Sequence, residues 1–280
     1  MPLFERKGKP AIHYHLDDFT DPWKNAPYLI LQHGFARNAN FFYSWVPYLS
    51  RFYKVVRTDL RGLGKSGRDF DMQKDIGLPA FIDDMNGLID HLGAQSVHYC
   101  GESLGGMLGM GFAAECPQRI RTLSAVSSPV HLIGPDNAKS SFGYSSRIEA
   151  MRAMGVRAWA EASTTGRRFP PDADPGLIRW CADEMGQSDV EVLAALYAWA
   201  STYDTTPYLP RIKAPFLGLF PSAGPITTDE HLDTLKAKIP NSTIVRIPCQ
   251  YHTVSNLEPA ACALTLLQFA GQFDGIACHE

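Results

Sequence analysis

The stretch Gly101-Glu-Ser-Leu-Gly105 places a serine between two glycines, where an apolar run ends and a helical pattern begins. Residues 96–100 (SVHYC) are typical of a strand, and residues 104–115 are typical of a Gly- and Met-rich helix. This context indicates a nucleophile elbow, because only small neighbours fit the tight turn that lifts the serine side chain above the strand ends. A chance glycine-rich turn is the alternative, and the flanking strand and helix argue against it. We therefore predict Ser103 as a nucleophile, whose chemistry is attack on a carbonyl carbon.

Two other stretches supply the groups that such a serine needs. The stretch 249–252 (CQYH) follows the last apolar strand, and His252 comes after the serine in chain order, so we predict it as the general base. The stretch 33–35 (HGF) follows an earlier strand. The backbone N–H groups of Phe35 and Leu104 are predicted to form an oxyanion hole. Each stretch alone is an ordinary loop, and their combination with the elbow indicates acyl transfer.

The composition excludes several other classes of function. The chain has 280 residues, 45% hydrophobic and 20% charged, which predicts one sizeable core with an inserted subdomain. A net charge of −3 without a basic stripe predicts no nucleic-acid partner. No apolar stretch is long enough to span a bilayer, so no membrane partner is expected. The start of the sequence has no secretory pattern, and scattered cysteines predict reduced thiols and a cytoplasmic location. These cysteines are Cys100, Cys116, Cys181, Cys249, Cys262 and Cys278.

The elements that must position these residues alternate between strands and helices, which predicts βαβ units and a mostly parallel sheet. The predicted strands begin at Tyr28, Tyr53, Ser96, Arg121, Phe216 and Thr243, and the closing helix covers about 258–271. Residues 131–207 break this alternation, because they have no convincing strand and show helical patterns over 148–162, 175–185 and 190–201. We therefore predict a core of residues 1–130 and 208–280, with a helical cap of residues 131–207. Most aromatic residues of this cap are expected to pack in its core, and a few to line an apolar pocket.

The motifs HGF, DLRGLGKS, GESLGG and QYH occur in this order, and with them the chain resembles the α/β-hydrolase superfamily over nearly its whole length. Its later stretches look most like 3-oxoadipate enol-lactonases and related small esterases and C–C hydrolases. The resemblance implies a mostly parallel central sheet with helices on both faces and an inserted helical cap. It implies no cofactor and no metal, with Ser103 as nucleophile, His252 as base, and Phe35 and Leu104 as oxyanion donors. A small-molecule substrate is the expected partner, and a homodimer is left open.

The chain departs from this family at the acid that normally orients the histidine. Family members carry an aspartate in the loop after the fifth predicted strand, where this chain has Gly224. Some relatives carry the acid one strand earlier, where this chain has Ser127 and Ser128. Glu102 adjoins the nucleophile, but elbow geometry predicts that it turns away from His252. The candidate replacement acids are Asp204, Asp229, Asp136 and Glu230.

The alternative to a replacement acid is a Ser–His dyad, and we favour the replacement carboxylate. Losing the acid of a triad costs on the order of 10⁴ in kcat, so a dyad would suit activated acyl groups such as enol esters, strained lactones and aryl esters. The leading prediction is a hydrolase of a small apolar or aromatic ester or lactone that forms an acyl-enzyme on Ser103. A C–C bond hydrolase or a lyase-type enzyme with His252 as base is the second hypothesis. A ligand-binding receptor or degenerate hydrolase is the third.

Overall fold

The computed structural model describes residues 2–132, 140–164, 168–224 and 226–277. Its strands are Leu3–Arg6 (β1), Lys9–Asp17 (β2), Tyr28–Gln32 (β3), Lys54–Thr58 (β4), Val97–Glu102 (β5), Ile120–Val126 (β6), Phe216–Pro221 (β7) and Ser242–Ile247 (β8). They form one sheet in the spatial order β1-β2-β4-β3-β5-β6-β7-β8. The pairings β1–β2 and β2–β4 are antiparallel, and all the others are parallel. Because the parallel strands end at the same edge, the loops after β3, β5, β6, β7 and β8 meet there.

Helices cover both faces of the sheet. Outside the segment between β6 and β7, the α-helices of the described residues are Val46–Leu49 (α1), Leu78–His91 (α2), Leu104–Glu115 (α3), Asp229–Lys238 (α8), Val254–Leu257 (α9) and Pro259–Asp274 (α10). One apolar cluster joins α2, α3 and α8 to the sheet, and a second joins α1 and α10 to it. Along β3, Ile30 belongs to the first cluster, and Leu29 and Leu31 belong to the second, as the period-two alternation of a strand requires.

Between β6 and β7, the described residues contain the helices Arg147–Met154 (α4), Val156–Thr164 (α5), Pro175–Gly186 (α6) and Val190–Ala200 (α7). The sequence predicts one helical pattern over 148–162, and this prediction is wrong, because α4 ends at Met154. Gly155 follows with φ 82°, a conformation that glycine adopts readily and that ends a helix. These residues are helical, as predicted, but Gly155 divides them into two short helices.

The chain enters and leaves this helical segment at adjacent points. His131 and Asp204 form an isolated antiparallel bridge, and the Thr205 N–H donates to the carbonyl of Val130 at 2.8 Å. We call this pairing of residues 130–131 with residues 204–205 the neck. It holds the two ends of the inserted segment together beside the end of β6.

The architecture confirms the predicted α/β fold with a mostly parallel sheet and helices on both faces. The predicted strand at 96–100 extends as β5 to Glu102, up to the residue before Ser103. The N-terminal strands β1 and β2 add an antiparallel edge to the parallel strands. Within the described ranges, no helix combines the length and the apolar character needed to cross a bilayer.

Candidate active site

Ser103 occupies a strained turn between β5 and α3. Its backbone has φ 52° and ψ −116°, a conformation that favours glycine and costs a serine about 1–3 kcal/mol. The turn has no room for side chains on its glycines, because a Cβ on Gly101 would lie 2.3 Å from the carbonyl carbon of Gly105. A Cβ on Gly105 would lie 2.5 Å from the carbonyl oxygen of Gln32. The Ser103 N–H donates to the carbonyl of Val126 at 2.8 Å, which ties the turn to β6.

His252 lies against Ser103. Its Nε2 is 3.2 Å from Ser103 Oγ, a hydrogen bond that the hydroxyl donates when this nitrogen carries no proton. The imidazole is buried, with 8% of the residue exposed. The segment after it is fixed to the body of the protein, since the indole N–H of Trp45 donates to the carbonyl of Ser255 at 2.8 Å. The structure therefore brings together the two residues that sequence analysis predicted as nucleophile and base.

The two predicted oxyanion donors lie on either side of the serine. Leu104 is the first residue of α3, and N–H groups in the first turn of a helix have no acceptor within that helix. Phe35 follows Gly34, which packs directly on the elbow: a Cβ on Gly34 would lie 3.0 Å from Ser103 Cβ and 3.0 Å from the Glu102 carbonyl oxygen. This contact sets the two stretches side by side, and the role of their N–H groups as oxyanion donors stays a prediction.

A buried ion pair that sequence analysis missed links the elbow to the loop after β3. An oxygen of the Glu102 carboxylate is 2.9 Å from Arg37 Nη1, and the two side chains are only 2% and 5% exposed. Burial raises the pKa of Glu102 above its ordinary value, while the Arg37 guanidinium and a hydrogen bond from the Gly34 N–H act against this rise. The carboxylate thus faces the oxyanion loop. The sequence contains a signal for a buried ion pair, because Glu102 is a charged residue between an apolar strand and Ser103.

The sheet, the elbow and the histidine occur together in one large family of enzymes. The family described as "alpha/beta hydrolase fold" matches residues 27–259, which is most of the chain. The chain belongs to the α/β hydrolase fold family. This assignment confirms the fold and the hydrolase class that the sequence motifs predicted.

Similar proteins support the resemblance to 3-oxoadipate enol-lactonases within the α/β hydrolases. The 3-oxoadipate enol-lactonase 2 of Acinetobacter baylyi is 25% identical over 262 residues, covering 92% of this chain and 94% of that protein. A hydrolase from Pseudomonas aeruginosa PA01 superimposes with a TM-score of 0.81 at 25% identity, covering 96% of this chain and 98% of the other. The enol-lactonase from Burkholderia xenovorans LB400 gives a TM-score of 0.83 at 23% identity, with coverage of 96% and 99%. The resemblance to enol-lactonases is thereby confirmed.

In this α/β hydrolase, the position expected for the acid is a glycine with space around it. Gly224 follows β7 and has φ 158°, at the edge of the extended region. A Cβ there would lie 3.6 Å from Pro221 Cγ and 3.8 Å from the carbonyl oxygen of Gln250, which is ordinary van der Waals contact. The position therefore adjoins the segment that leads into His252 and has space for a side chain, but its φ makes any substitution there strained.

Two of the described candidate acids, Asp204 and Asp229, lie on the surface and have other partners. Asp204 is exposed, and its carboxylate accepts a hydrogen bond from the Thr206 N–H at 2.8 Å. Asp229 is the first residue of α8, its side chain is 81% exposed, and it pairs with Arg246. Asp136 lies outside the described residues. The contacts in the described part of the chain bring neither Asp204 nor Asp229 to the imidazole, and the identity of the acid stays a prediction.

The second acid position of the family, at the end of β6, holds two buried serines. Ser127 is 0% exposed and has φ 48°, so it repeats the positive φ of Ser103 on the neighbouring strand. Ser128 Oγ donates to the carbonyl of Val126 at 3.2 Å and packs on α3, because a Cβ on Gly106 would lie 1.9 Å from that oxygen. The end of β6 thus supplies hydroxyl groups in place of a carboxylate.

The inserted helices contact the loop that carries Phe35. The ring centroids of Phe35 and Tyr197, on α7, are 5.8 Å apart, and the Arg147 guanidinium lies 4.9 Å from the Tyr197 ring centroid. The amide of Asn38 donates to the carboxylate of Glu184, on α6, at 2.7 Å. The packing of these helices therefore affects the position of a predicted oxyanion donor directly.

Metal-binding side chains do not converge in the described ranges, where no group of three or more His, Cys, Asp or Glu residues could hold an ion. His131 and His231 form an edge-to-face pair with ring centroids 4.9 Å apart, beside the neck. The expectation of a site without metal or cofactor stays a prediction.

Proposed function

We propose that this α/β hydrolase cleaves a small apolar or aromatic ester or lactone through an acyl-enzyme on Ser103. The observation that carries the proposal is the 3.2 Å separation between Ser103 Oγ and His252 Nε2. The serine lies on a strained turn at the N-terminus of α3. A hydroxyl held in this way beside an imidazole is the arrangement of an activated nucleophile and its general base.

The geometry supports a two-step reaction. His252 Nε2 accepts the hydroxyl proton as Ser103 Oγ attacks the acyl carbon, and the N–H groups of Phe35 and Leu104 stabilise the oxyanion. The tetrahedral intermediate then expels an alcohol or enol, which takes the proton from His252. Water attacks the acyl-enzyme with His252 again as the base, and the acid product leaves. One oxyanion donor contributes on the order of 10²–10³ to kcat in enzymes of this type.

The substrate class rests on three supports. A relative covering most of the chain is named 3-oxoadipate enol-lactonase. The aromatic contact of Phe35 with Tyr197 puts apolar surface next to a predicted oxyanion donor. Gly224 leaves the family's usual acid position without a carboxylate, and the loss of a triad acid, about 10⁴ in kcat, is tolerated best by substrates with good leaving groups. We further propose that the cap of residues 131–207 selects among such substrates.

The first test is covalent labelling of the nucleophile. An aryl alkylphosphonate should react once per chain, and mass spectrometry should place the adduct on the peptide that contains Ser103. Ser103→Ala should abolish labelling and turnover. Ser127→Ala is the matched control, because this buried serine has a similar positive φ on the next strand, and it should still be labelled at Ser103. An adduct on another peptide, or turnover by Ser103→Ala, would contradict the proposal.

The second test separates hydrolysis through an acyl-enzyme from the other reactions considered. Stopped-flow mixing with a p-nitrophenyl ester should give a burst of about one equivalent of nitrophenol, the signature of an accumulating acyl-enzyme. A C–C hydrolase or lyase would turn over a vinylogous diketone faster than any ester in a matched panel. A receptor would bind ligand with no turnover of the panel beyond one equivalent.

A further inference from the structure

We propose that the buried pair of Arg37 and Glu102 is a positioning device that holds the oxyanion loop and the histidine segment in register with the nucleophile. The proposal deepens the proposed function and rests on it for the roles of Ser103, His252 and the oxyanion loop. Neither residue is offered as a catalytic residue, because each acts through the backbone groups and side chains that it fixes.

On the nucleophile side, the pair connects two backbone segments whose relative position must be kept to within a fraction of an ångström. Glu102 immediately precedes Ser103, so its backbone is part of the elbow. Its carboxylate pairs with Arg37 at 2.9 Å and accepts a hydrogen bond from the Gly34 N–H, the residue before Phe35. A Cβ on Gly34 would lie 3.0 Å from a carboxylate oxygen of Glu102, so the loop sits directly on that carboxylate.

On the histidine side, Arg37 reaches the helix that follows His252. Its Nη1 donates to Asn256 Oδ1 at 3.3 Å, and Asn256 is a residue of α9. The amide of Asn256 in turn donates to the carbonyl of Phe41 at 3.0 Å, and the Arg37 guanidinium lies 4.7 Å from the Phe41 ring centroid. One guanidinium therefore contacts the nucleophile's neighbour, its own loop and the histidine segment.

The energetics favour a positioning role over simple stabilisation. A buried ion pair recovers little net free energy of folding after desolvation, and an apolar pair of similar volume is often as stable. What the pair adds is geometry, because it joins the end of β5, the loop after β3 and helix α9 at one edge of the sheet. Displacement of a reacting group by about 1 Å costs on the order of 10² in rate. Loss of one oxyanion donor costs on the order of 10²–10³ in kcat.

Glu102→Gln is the central test, since it keeps an acceptor for the Gly34 N–H and removes only the charge. With rates normalised to phosphonate-titratable Ser103, we expect kcat on a p-nitrophenyl ester to fall by about 10- to 100-fold. KM should stay within about threefold, because the binding surface is unchanged. The acid limb of kcat/KM should move to lower pH, because the uncompensated charge of Arg37 disfavours protonation of His252.

The matched control is Asp84→Asn, which removes the charge from another buried arginine pair. Asp84 binds Arg61 at 2.7 Å, with side chains 4% and 10% exposed, and none of its described contacts is with Ser103 or His252. This variant should lose thermal stability and keep the kcat and pH profile of the parent. The double variant Arg37→Met with Glu102→Gln should return the acid limb toward its parental position, because the charge of Arg37 is removed while that of Arg168, which also acts on Glu102, is unchanged, and kcat should stay low.

Three outcomes decide the proposal. Wild-type kcat and an unchanged pH profile in Glu102→Gln would overturn it, since the pair would then be structural only, like Arg61 with Asp84. If Glu102→Gln does not fold, Arg37→Gln decides, since it removes the charge that pairs with Glu102, and parental kcat per labelled serine in that variant overturns the proposal equally. Absence of phosphonate labelling at Ser103 in the parent would instead count against the proposed function, so the two failures are distinguishable.

Discussion

The two sides of His252 are constructed differently. On the side of Ser103, the backbone is packed so closely that a single methyl group on Gly101, Gly105 or Gly34 would collide with main-chain or nucleophile atoms. On the side of Gly224, the same methyl group would make only ordinary contacts, at 3.6 and 3.8 Å. The backbone around Ser103 is therefore fixed by contact, whereas Gly224, in the loop beside the segment that leads into His252, has space around it and is restricted by its φ of 158°.

This difference shows which part of the chemistry the fold itself guarantees. The geometry of Ser103 and the predicted oxyanion donors come from the backbone, so they persist wherever the elbow forms. The acid expected from the family would be one side chain in a loop, and a loop side chain can be replaced without disturbing the sheet. Substitutions on the two sides should accordingly differ by orders of magnitude in their effect.

The largest effect is expected where both sides meet, at the imidazole. His252→Ala should lower kcat on an aryl ester by on the order of 10⁶, because among the described residues its imidazole is the group at hydrogen-bond distance from Ser103 Oγ that can take the serine proton. Circular dichroism and the melting temperature should show that the fold is retained. A loss of less than about 10²-fold would mean that another base serves Ser103.

The next prediction compares one methyl group on each side. Gly34→Ala should lower kcat by on the order of 10²–10³, because its Cβ would displace the loop that carries the Phe35 N–H. Gly224→Ala should change kcat by no more than about threefold, because its Cβ has room, and its φ of 158° should instead lower the stability of the variant. Steady-state kinetics normalised to titrated active sites measures both variants. Equal losses in the two variants would remove the contrast on which this view of the site depends.

A carboxylate on the open side should increase activity. Gly224→Asp is expected to raise kcat on an aryl ester about tenfold, a part of the roughly 10⁴ that a triad acid supplies. Asp204→Ala and Asp229→Ala should each stay within about tenfold of the parent, because both carboxylates are exposed and otherwise engaged. No gain in Gly224→Asp, combined with a loss near 10⁴ in Asp136→Ala, would instead identify Asp136 as the replacement acid.

The smallest predicted effect is a loss of folding stability at acid pH, and it arises from two buried histidines. Burial lowers the pKa of His33, whose Nε2 accepts the Leu60 N–H at 3.0 Å, and burial together with His131 lowers the pKa of His231. The unfolded chain therefore takes up protons first, below about pH 6.5, and stability present above that pH is lost as the pH falls toward the lowered values.

Calorimetry should show this loss as a fall in melting temperature of a few degrees between about pH 7.5 and pH 5.5. His231→Gln should reduce the fall, since it removes one of the titrating groups and keeps a polar side chain. A melting temperature that is constant or rises on acidification would contradict the assignment of neutral, buried imidazoles.

The parts of the site that sequence predicts are those that local sterics and chain order determine. A serine between glycines, after a strand and before a helix, has few conformations open to it, and the observed φ of 52° is the expected one. The choice of His252 as the predicted base follows from its position between β8 and the closing helices. The mostly parallel sheet follows in the same way from alternating strand and helix patterns.

The rest depends on contacts between distant parts of the chain. Arg37 and Glu102 meet because β3 and β5 are neighbours in the sheet, which no local pattern reveals. The surroundings of Asp204 and Asp229 are set by turns and ion pairs at the surface, where sequence constrains side-chain direction weakly. The division of the predicted helix at Gly155 was readable, since glycine is the usual residue where helices end.

The neck gives the inserted helices an unusual independence from the sheet. Val130 and Thr205 are hydrogen-bonded to each other. For the sheet, the whole insertion is therefore equivalent to one crossover connection between the adjacent parallel strands β6 and β7. The entropy of closing such a connection grows only with the logarithm of its length, so adding or removing a helix beyond the neck costs the sheet little. The neck is thus a position at which the inserted helices could be exchanged for others while the strand that leads into Ser103, the predicted nucleophile, is kept.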